Sequence, residues 1–122
     1  MAISQVSLGF TSGLKLFLDT VNANAAIAVV ASAATLYQVQ IDNSANSVPN
    51  FVKLYDTAGA VVVGTTVPDH LIRVPANVSR TILCPEGLAF ANGIAVATVT
   101  AGGTAGTTSP TNPVIVRLAY TS

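Results

Sequence analysis

Tyr37-Gln38-Val39-Gln40-Ile41-Asp42 (YQVQID) alternates bulky apolar residues with polar ones over six positions. Successive side chains of a β-strand point to opposite faces, so this run predicts a strand with Tyr37, Val39 and Ile41 inward and Gln38, Gln40 and Asp42 outward. The same period returns near the end of the chain, where Val114, Val116, Leu118 and Tyr120 alternate with Ile115, Arg117 and Ala119. It returns again where Ile94, Val96 and Thr98 alternate with Ala95, Ala97 and Val99, and Ile72 and Val74 flank Arg73 in the same way. Val, Ile and Thr crowd these segments, as expected of strands.

Turn chemistry separates the runs. Asn43–Asn50 (NSANSVPN) reads as a polar loop, and Ala58-Gly59, Gly64, Pro68, Pro75-Ala76-Asn77 and Pro85-Glu86-Gly87 read as breaks. Asn92-Gly93 is the strongest signal and predicts a tight type I′ hairpin joining Leu88–Ala91 to Ile94–Thr100. Residues 101–113 (AGGTAGTTSPTNP) read as one exposed, mobile loop. Strands are therefore expected at about 13–19, 25–31, 35–42, 51–56, 69–74 and 79–84, as a hairpin pair over 88–100, and at 114–120. With the hairpin counted as one element, that makes about eight, with a short piece at Val61–Val63. The expected fold is all-β: a single-domain antiparallel β-sandwich of jelly-roll type over residues 13–122, with residues 1–12 as an N-terminal arm or a first strand. The Ala-rich segment 23–34 stays open between strand and helix, because alanine is the best helix former. Gly64-Thr65-Thr66-Val67-Pro68 and Gly106-Thr107-Thr108-Ser109-Pro110 look alike, and both read as turn chemistry rather than as an internal repeat.

Composition narrows the function classes. Of 122 residues only five are Lys or Arg and five Asp or Glu, with one His, one Cys and no Trp. That is 8% charged, against about 25% for an average domain, and the mean hydropathy is +0.62. A chain of this size buries about two-thirds of its unfolded surface, enough for a core. Ten charges leave the remaining surface poorly solvated, which predicts association with partners. Net charge is zero and Lys15, Lys53, Arg73, Arg80 and Arg117 are scattered singly, so no nucleic-acid partner is expected. No apolar run reaches the length of a transmembrane helix, so no membrane partner is expected either. Ala25–Ala34 (AAIAVVASAA) contains a cleavage-like Ala31-Ser32-Ala33, but Asp19, Asn22 and Asn24 stand where basic residues should precede it, so no signal peptide is expected. Cys84, in the apolar run Thr81-Ile82-Leu83-Cys84, reads as a small buried hydrophobe.

Reagents for catalysis are scarce. His70 adjoins Asp69, but neighbours in a strand face opposite ways, so His70 reads as an exposed strand residue. Asp19, Asp42, Asp56, Asp69 and Glu86 sit mostly at strand ends, where acids cap turns. One Cys and one His do not make a usual zinc site. Gly102-Gly103-Thr104-Ala105-Gly106 lacks the Lys and following helix of a phosphate loop. The chain is thus expected to be no enzyme and to have no catalytic residue, metal, cofactor or small-molecule substrate. In Phe51–Asp56 (FVKLYD), Phe51, Lys53 and Tyr55 share one face and Val52 and Leu54 the other. With Val52 and Leu54 in the core, the first three line the outside as a subunit interface, where aromatics are enriched; the alternative is the reverse orientation or a second sheet covering them.

Ile41–Asp56 (IDNSANSVPNFVKLYD), followed by Val63–Pro75 (VGTTVPDHLIRVP) and Pro85–Thr108 (PEGLAFANGIAVATVTAGGTAGTT), resembles a group of small virion proteins of tailed bacteriophages, including cyanophages. The resemblance spans about residues 35–120 and rests on turns and strand faces. It implies a β-sandwich virion component, most commonly a capsid decoration, or cement, protein. Such a protein binds the outer shell beside the major capsid protein, often as a homotrimer, and braces the head. The contact residues expected on that reading are Phe10 with the flanking N-terminal arm, and Phe51, Lys53 and Tyr55 at a subunit seam. The location implied is the capsid surface of the virion. The competing reading is a tail, fibre or knob module that touches a host-surface ligand through loop 101–113.

Overall fold

The computed structural model describes residues 13–21 and 26–122. Their regular elements are eight strands: β1 (Lys15–Val21), β2 (Ile27–Val30), β3 (Ala34–Asp42), β4 (Asn50–Tyr55), β5 (His70–Val74), β6 (Ser79–Phe90), β7 (Ile94–Val99) and β8 (Val114–Thr121). They form two four-stranded antiparallel sheets, ordered β1-β8-β3-β6 and β2-β7-β4-β5. The strands pair 1 with 8, 2 with 7, 3 with 6 and 4 with 5. This is one long antiparallel ribbon, folded at β4–β5 and rolled so that its two halves face each other: a jelly roll. Part of the Ala-rich segment is β2, a strand and not a helix. The arm or first strand expected over 1–12 lies outside the described residues.

The core lies between the sheets. Leu36, Val39 and Ile41 of β3 and Val114, Val116 and Leu118 of β8 pack against Val52 and Leu54 of β4 and Ile94 and Val96 of β7. The alternation of β8 is as expected, with Val114, Val116, Leu118 and Tyr120 inward. In β3 the inward set is Leu36, Val39 and Ile41, and Tyr37 is only half-buried. The register shifts between Leu36 and Gln38 against both neighbours, so Tyr37 is an extra residue that flips the faces on either side of it. Opposite Tyr37 stands the segment Cys84–Gly87, whose Pro85-Glu86-Gly87 is expected as a turn but lies within β6 as a bulge. Pro85 has no N–H to give a ladder and is tolerated because β6 is an edge strand. Gly87 (φ 84°) lies against Thr35 and Tyr37 with no space for a side chain.

Asn92-Gly93 does not make the expected hairpin. β6 and β7 belong to different sheets, so the turn carries the chain across the core. Only β4–β5 joins consecutive strands of one sheet. Asn92 does not take the positive φ a type I′ turn needs. The Asp56 carboxylate holds the crossing instead, accepting the amides of Asn92 (2.8 Å) and Ala91 (3.1 Å).

The Asn92 amide, helped by those of Ala91 and Gly93, holds the Asp56 pKa below its ordinary 3.8. Such a carboxylate binds its proton less tightly folded than unfolded. Its contribution to stability is complete above 3.8 and is lost as pH falls through the lower folded value. Asp42 is depressed in the same sense, chiefly by its hydrogen bonds from Ser44. Urea midpoints of the wild type are therefore expected to drop steeply below about pH 4. Asp56→Asn is expected to lower the midpoint at neutral pH and make that acid slope shallower; an unchanged slope would remove Asp56 from the account.

Asparagines tie one end of the sandwich together. Asn43, Asn46 and Asn50 are buried. The Asn43 amide nitrogen donates to the carbonyls of Pro75 (3.0 Å), Val48 (3.1 Å) and Val74 (3.4 Å). Its oxygen accepts the amides of Asn50 (2.7 Å) and Asn46 (3.0 Å). Asn46 in turn donates to the Asn112 carbonyl (3.1 Å) and accepts the Asn112 amide (2.8 Å). The β3–β4 loop, the β5–β6 turn and the end of the β7–β8 loop are thereby one hydrogen-bonded block.

Candidate functional site

The two sheets present different outer faces. On the second sheet the outward residues of β4 are Phe51, Lys53 and Tyr55, opposite Val99, Ala97 and Ala95 of β7. Of the two orientations the sequence leaves open, the structure has these side chains outward, but the chain covers them itself. Tyr55 is 1% exposed, beside Ala95 and Ala97 and beneath Val61, Val63 and Ala26. Lys53 is fully buried, and its ammonium donates to the carbonyls of Gly106 (2.9 Å) and Thr104 (3.0 Å). Burial pushes the Lys53 pKa down and the Tyr55 pKa up, since each charged form loses water. Phe51 is half-buried under Gly102. The small alanines of β7 leave room for the large side chains of β4, so β7 is buried on both faces.

A seam through Lys53 and Tyr55 is therefore corrected: loops 56–69 and 100–113 occupy the place expected for a neighbour. The two loops touch where Gly64 meets Thr107, so the two similar Gly-Thr-Thr turns lie against each other. Loop 100–113 is also fastened by Thr100 to Thr108 (3.0 Å) and by Asn112 to the asparagine block. Most of its residues are exposed, as expected, while its inner side is anchored over Lys53 and Phe51. Phe10, the remaining expected contact, lies outside the described residues.

The first sheet carries no such cover among the described residues. Its outward rows are Leu16, Ala119, Gln38 and Leu83, then Leu18, Arg117, Gln40 and Thr81. Leu16 is 80% exposed, Leu83 65% and Leu18 60%. Leu16, Leu18, Gln38, Gln40, Arg117 and Ala119 line a shallow depression across β1, β8 and β3. This surface sets exposed leucines at its β1 and β6 edges on either side of Gln38 and Gln40, and carries Arg117 as its one cation among the described residues. It suits a broad protein contact better than a small ligand.

Sequence reading missed these residues. The signal was in Leu14-Lys15-Leu16-Phe17-Leu18, whose apolar residues are too dense for one inward face. Phe17 packs on the core, which leaves Leu16 and Leu18 outside.

The titratable residues do not converge. His70 is half-buried rather than exposed, its ring set edge-on to Phe90 at 5.6 Å. The Asp69 carboxylate accepts the Asp56 amide (2.7 Å). Cys84 is half-buried in the β6 bulge rather than buried. Among the described residues no three of His, Cys, Asp and Glu come close enough to share a metal ion. No protein-family model matches this chain, and no curated protein matches it either.

Proposed function

We propose that this chain is a non-enzymatic structural subunit of a phage virion, a decoration protein that binds the outside of the capsid and stabilises the head. The observation that carries the reading is the outer face of the first sheet, uncovered among the described residues, with Leu16, Leu18 and Leu83 exposed on a chain of only ten charges. A monomer gains little from that face in water, whereas a subunit seated on a shell buries it. The resemblance of residues 35–120 to small tailed-phage virion proteins supports the major capsid protein as the partner. The jelly roll is compatible by analogy, since the architecture serves viral shells among other uses. The fastened loop 100–113 weighs against a fibre tip that works through it.

The test is co-sedimentation of the purified chain with empty capsids of the phage that encodes it. Saturable binding in a fixed ratio, weakened about tenfold by Leu83→Glu on the open face, is the expected result. A folded protein that ignores shells would overturn the decoration reading and favour a tail module.

A further inference from the structure

We infer that β1 is a self-pairing edge, through which two copies of the chain join about a two-fold axis into one continuous eight-stranded sheet. Each four-stranded sheet has two edges, and an unpaired edge is a template for another strand unless something blunts it. Three of the four edges are blunted. The register of β2 breaks between Ala28 and Val30. β6 carries the bulge at Cys84–Gly87 with Pro85 in it. β5 is closed on its side by Arg80, whose guanidinium donates to the Arg73 carbonyl at 2.8 Å. β1 has no proline and keeps an unbroken register with β8 over all seven residues.

The sequence of β1 fits a copy of itself. A two-fold axis perpendicular to the sheet keeps inward side chains inward, and directly opposed residues of antiparallel strands share a face. The axis must therefore pass through a residue. Centred on Phe17, it sets Lys15 opposite Asp19 of the second copy, twice, and Leu16 opposite Leu18, twice. Centred on Lys15 or Asp19 it would oppose like charges, and on Leu16 or Leu18 it would leave Lys15 and Asp19 without each other. Only the Phe17 centre places opposite charges in register and brings together Leu16 and Leu18, which are 80% and 60% exposed. Among the described residues the Lys15 ammonium donates to the Ser122 hydroxyl at 2.7 Å, and the Asp19 carboxylate accepts the adjacent Thr20 amide at 2.7 Å. Both sit at the exposed edge. The inference rests on the reading of the chain as an assembling subunit, and it puts a two-fold pair in place of the trimer that the resemblance implies.

Sedimentation equilibrium of the full chain tests it, comparing the wild type with Lys15→Glu, Asp19→Lys and the double reversal at matched concentrations. The wild type is expected at about twice the chain mass of 12.3 kDa. Each single reversal turns two attractive cross-strand pairs repulsive and is expected to raise the dimer dissociation constant about tenfold or more. The double reversal restores opposite charges in the same register and is expected to recover the wild-type constant to within about threefold. Circular dichroism checks that each variant keeps its strands. A wild-type monomer, with the edge free or covered by its own residues 1–12, would overturn the proposal. So would a trimer, an oligomer indifferent to single reversals, or a double reversal that fails to recover. Shell binding separates the two proposals: a charge-dependent dimer that ignores capsids keeps the edge and loses the decoration role, while an indifferent trimer that binds capsids does the opposite.

Discussion

Asn43→Ala is expected to destabilise the domain by about 3–5 kcal/mol, a large share of the roughly 5–15 kcal/mol that holds a domain of this kind folded. The loss comes from what the truncation strands. Asn46 and Asn50, both buried, lose the oxygen that accepts their amides at 3.0 and 2.7 Å. The carbonyls of Pro75, Val48 and Val74 lose their shared donor. Leaving a buried polar group unpaired costs about 1–3 kcal/mol, more than the net gain from forming the bond. Three connections separated widely in sequence depend on that one side chain, so the damage should not stay local. Thermal melting is expected about 15 °C below wild type. Ser47→Ala, exposed in the same loop, should stay within about 0.5 kcal/mol. Equal melting temperatures for Asn43→Ala and the wild type would show that the block is replaceable by solvent.

Gly93→Ala is expected to cost about 3 kcal/mol or more, through backbone and not through packing. The crossing from β6 to β7 threads between two carbonyls, and a Cβ on Gly93 would lie 2.5 Å from the Val30 oxygen and 2.6 Å from the Thr57 oxygen. Neither atom is the end of a flexible side chain. Relief requires moving β2, the start of loop 56–69, or the crossing itself, and the last would pull Asn92 and Ala91 off the Asp56 carboxylate. Gly59→Ala is the matched control, since its nearest neighbour would be the Thr57 hydroxyl at 3.6 Å. Chemical denaturation of the two variants side by side reads the difference. Similar midpoints would mean that the crossing has slack that the carbonyl distances deny.

The strands were legible because alternation and turn residues are local properties, and β3, β4, β5, β7 and β8 lie within a residue or two of their expected bounds. What Asn92-Gly93 joins was not legible. A dipeptide reports that the chain turns, not which sheet receives the next strand, and the group that shapes this turn is Asp56, far away in sequence. Pro85-Glu86-Gly87 carries the same ambiguity, since a turn and a bulge both need a residue that gives up its ladder bond. Lys53 shows another limit. That it shares a face with Phe51 and Tyr55 was readable, but whether a long cation meets water, a partner or its own loop depends on where Thr104 and Gly106 come to rest. NSANSVPN was read as a surface loop because asparagine is polar, yet three of its asparagines are interior. Their amides are taken up by one another and by backbone carbonyls, with the Asn50 Oδ1 left without a partner among the described residues, which composition alone does not reveal. The open apolar face was foreshadowed only globally, by a chain with too few charges to solvate itself.

The nested pairing also sets a sequence of entropic costs for folding. β4 and β5 meet across the single loop 56–69, whereas Lys15 must find Tyr120. Closure entropy grows with the length of chain enclosed, and topologies dominated by distant pairings fold in the millisecond-to-second range. Zipping outward from β4–β5 keeps each later closure short, because the previous pair has already brought its strands together. On that route β1 docks last, and substitutions such as Leu18→Ala are expected to speed unfolding while leaving the refolding rate nearly unchanged; slowed refolding would place β1 in the nucleus instead. The edge offered to a second copy would then be the final piece of the molecule to form, so that partly folded chains present no finished template on which others could stack.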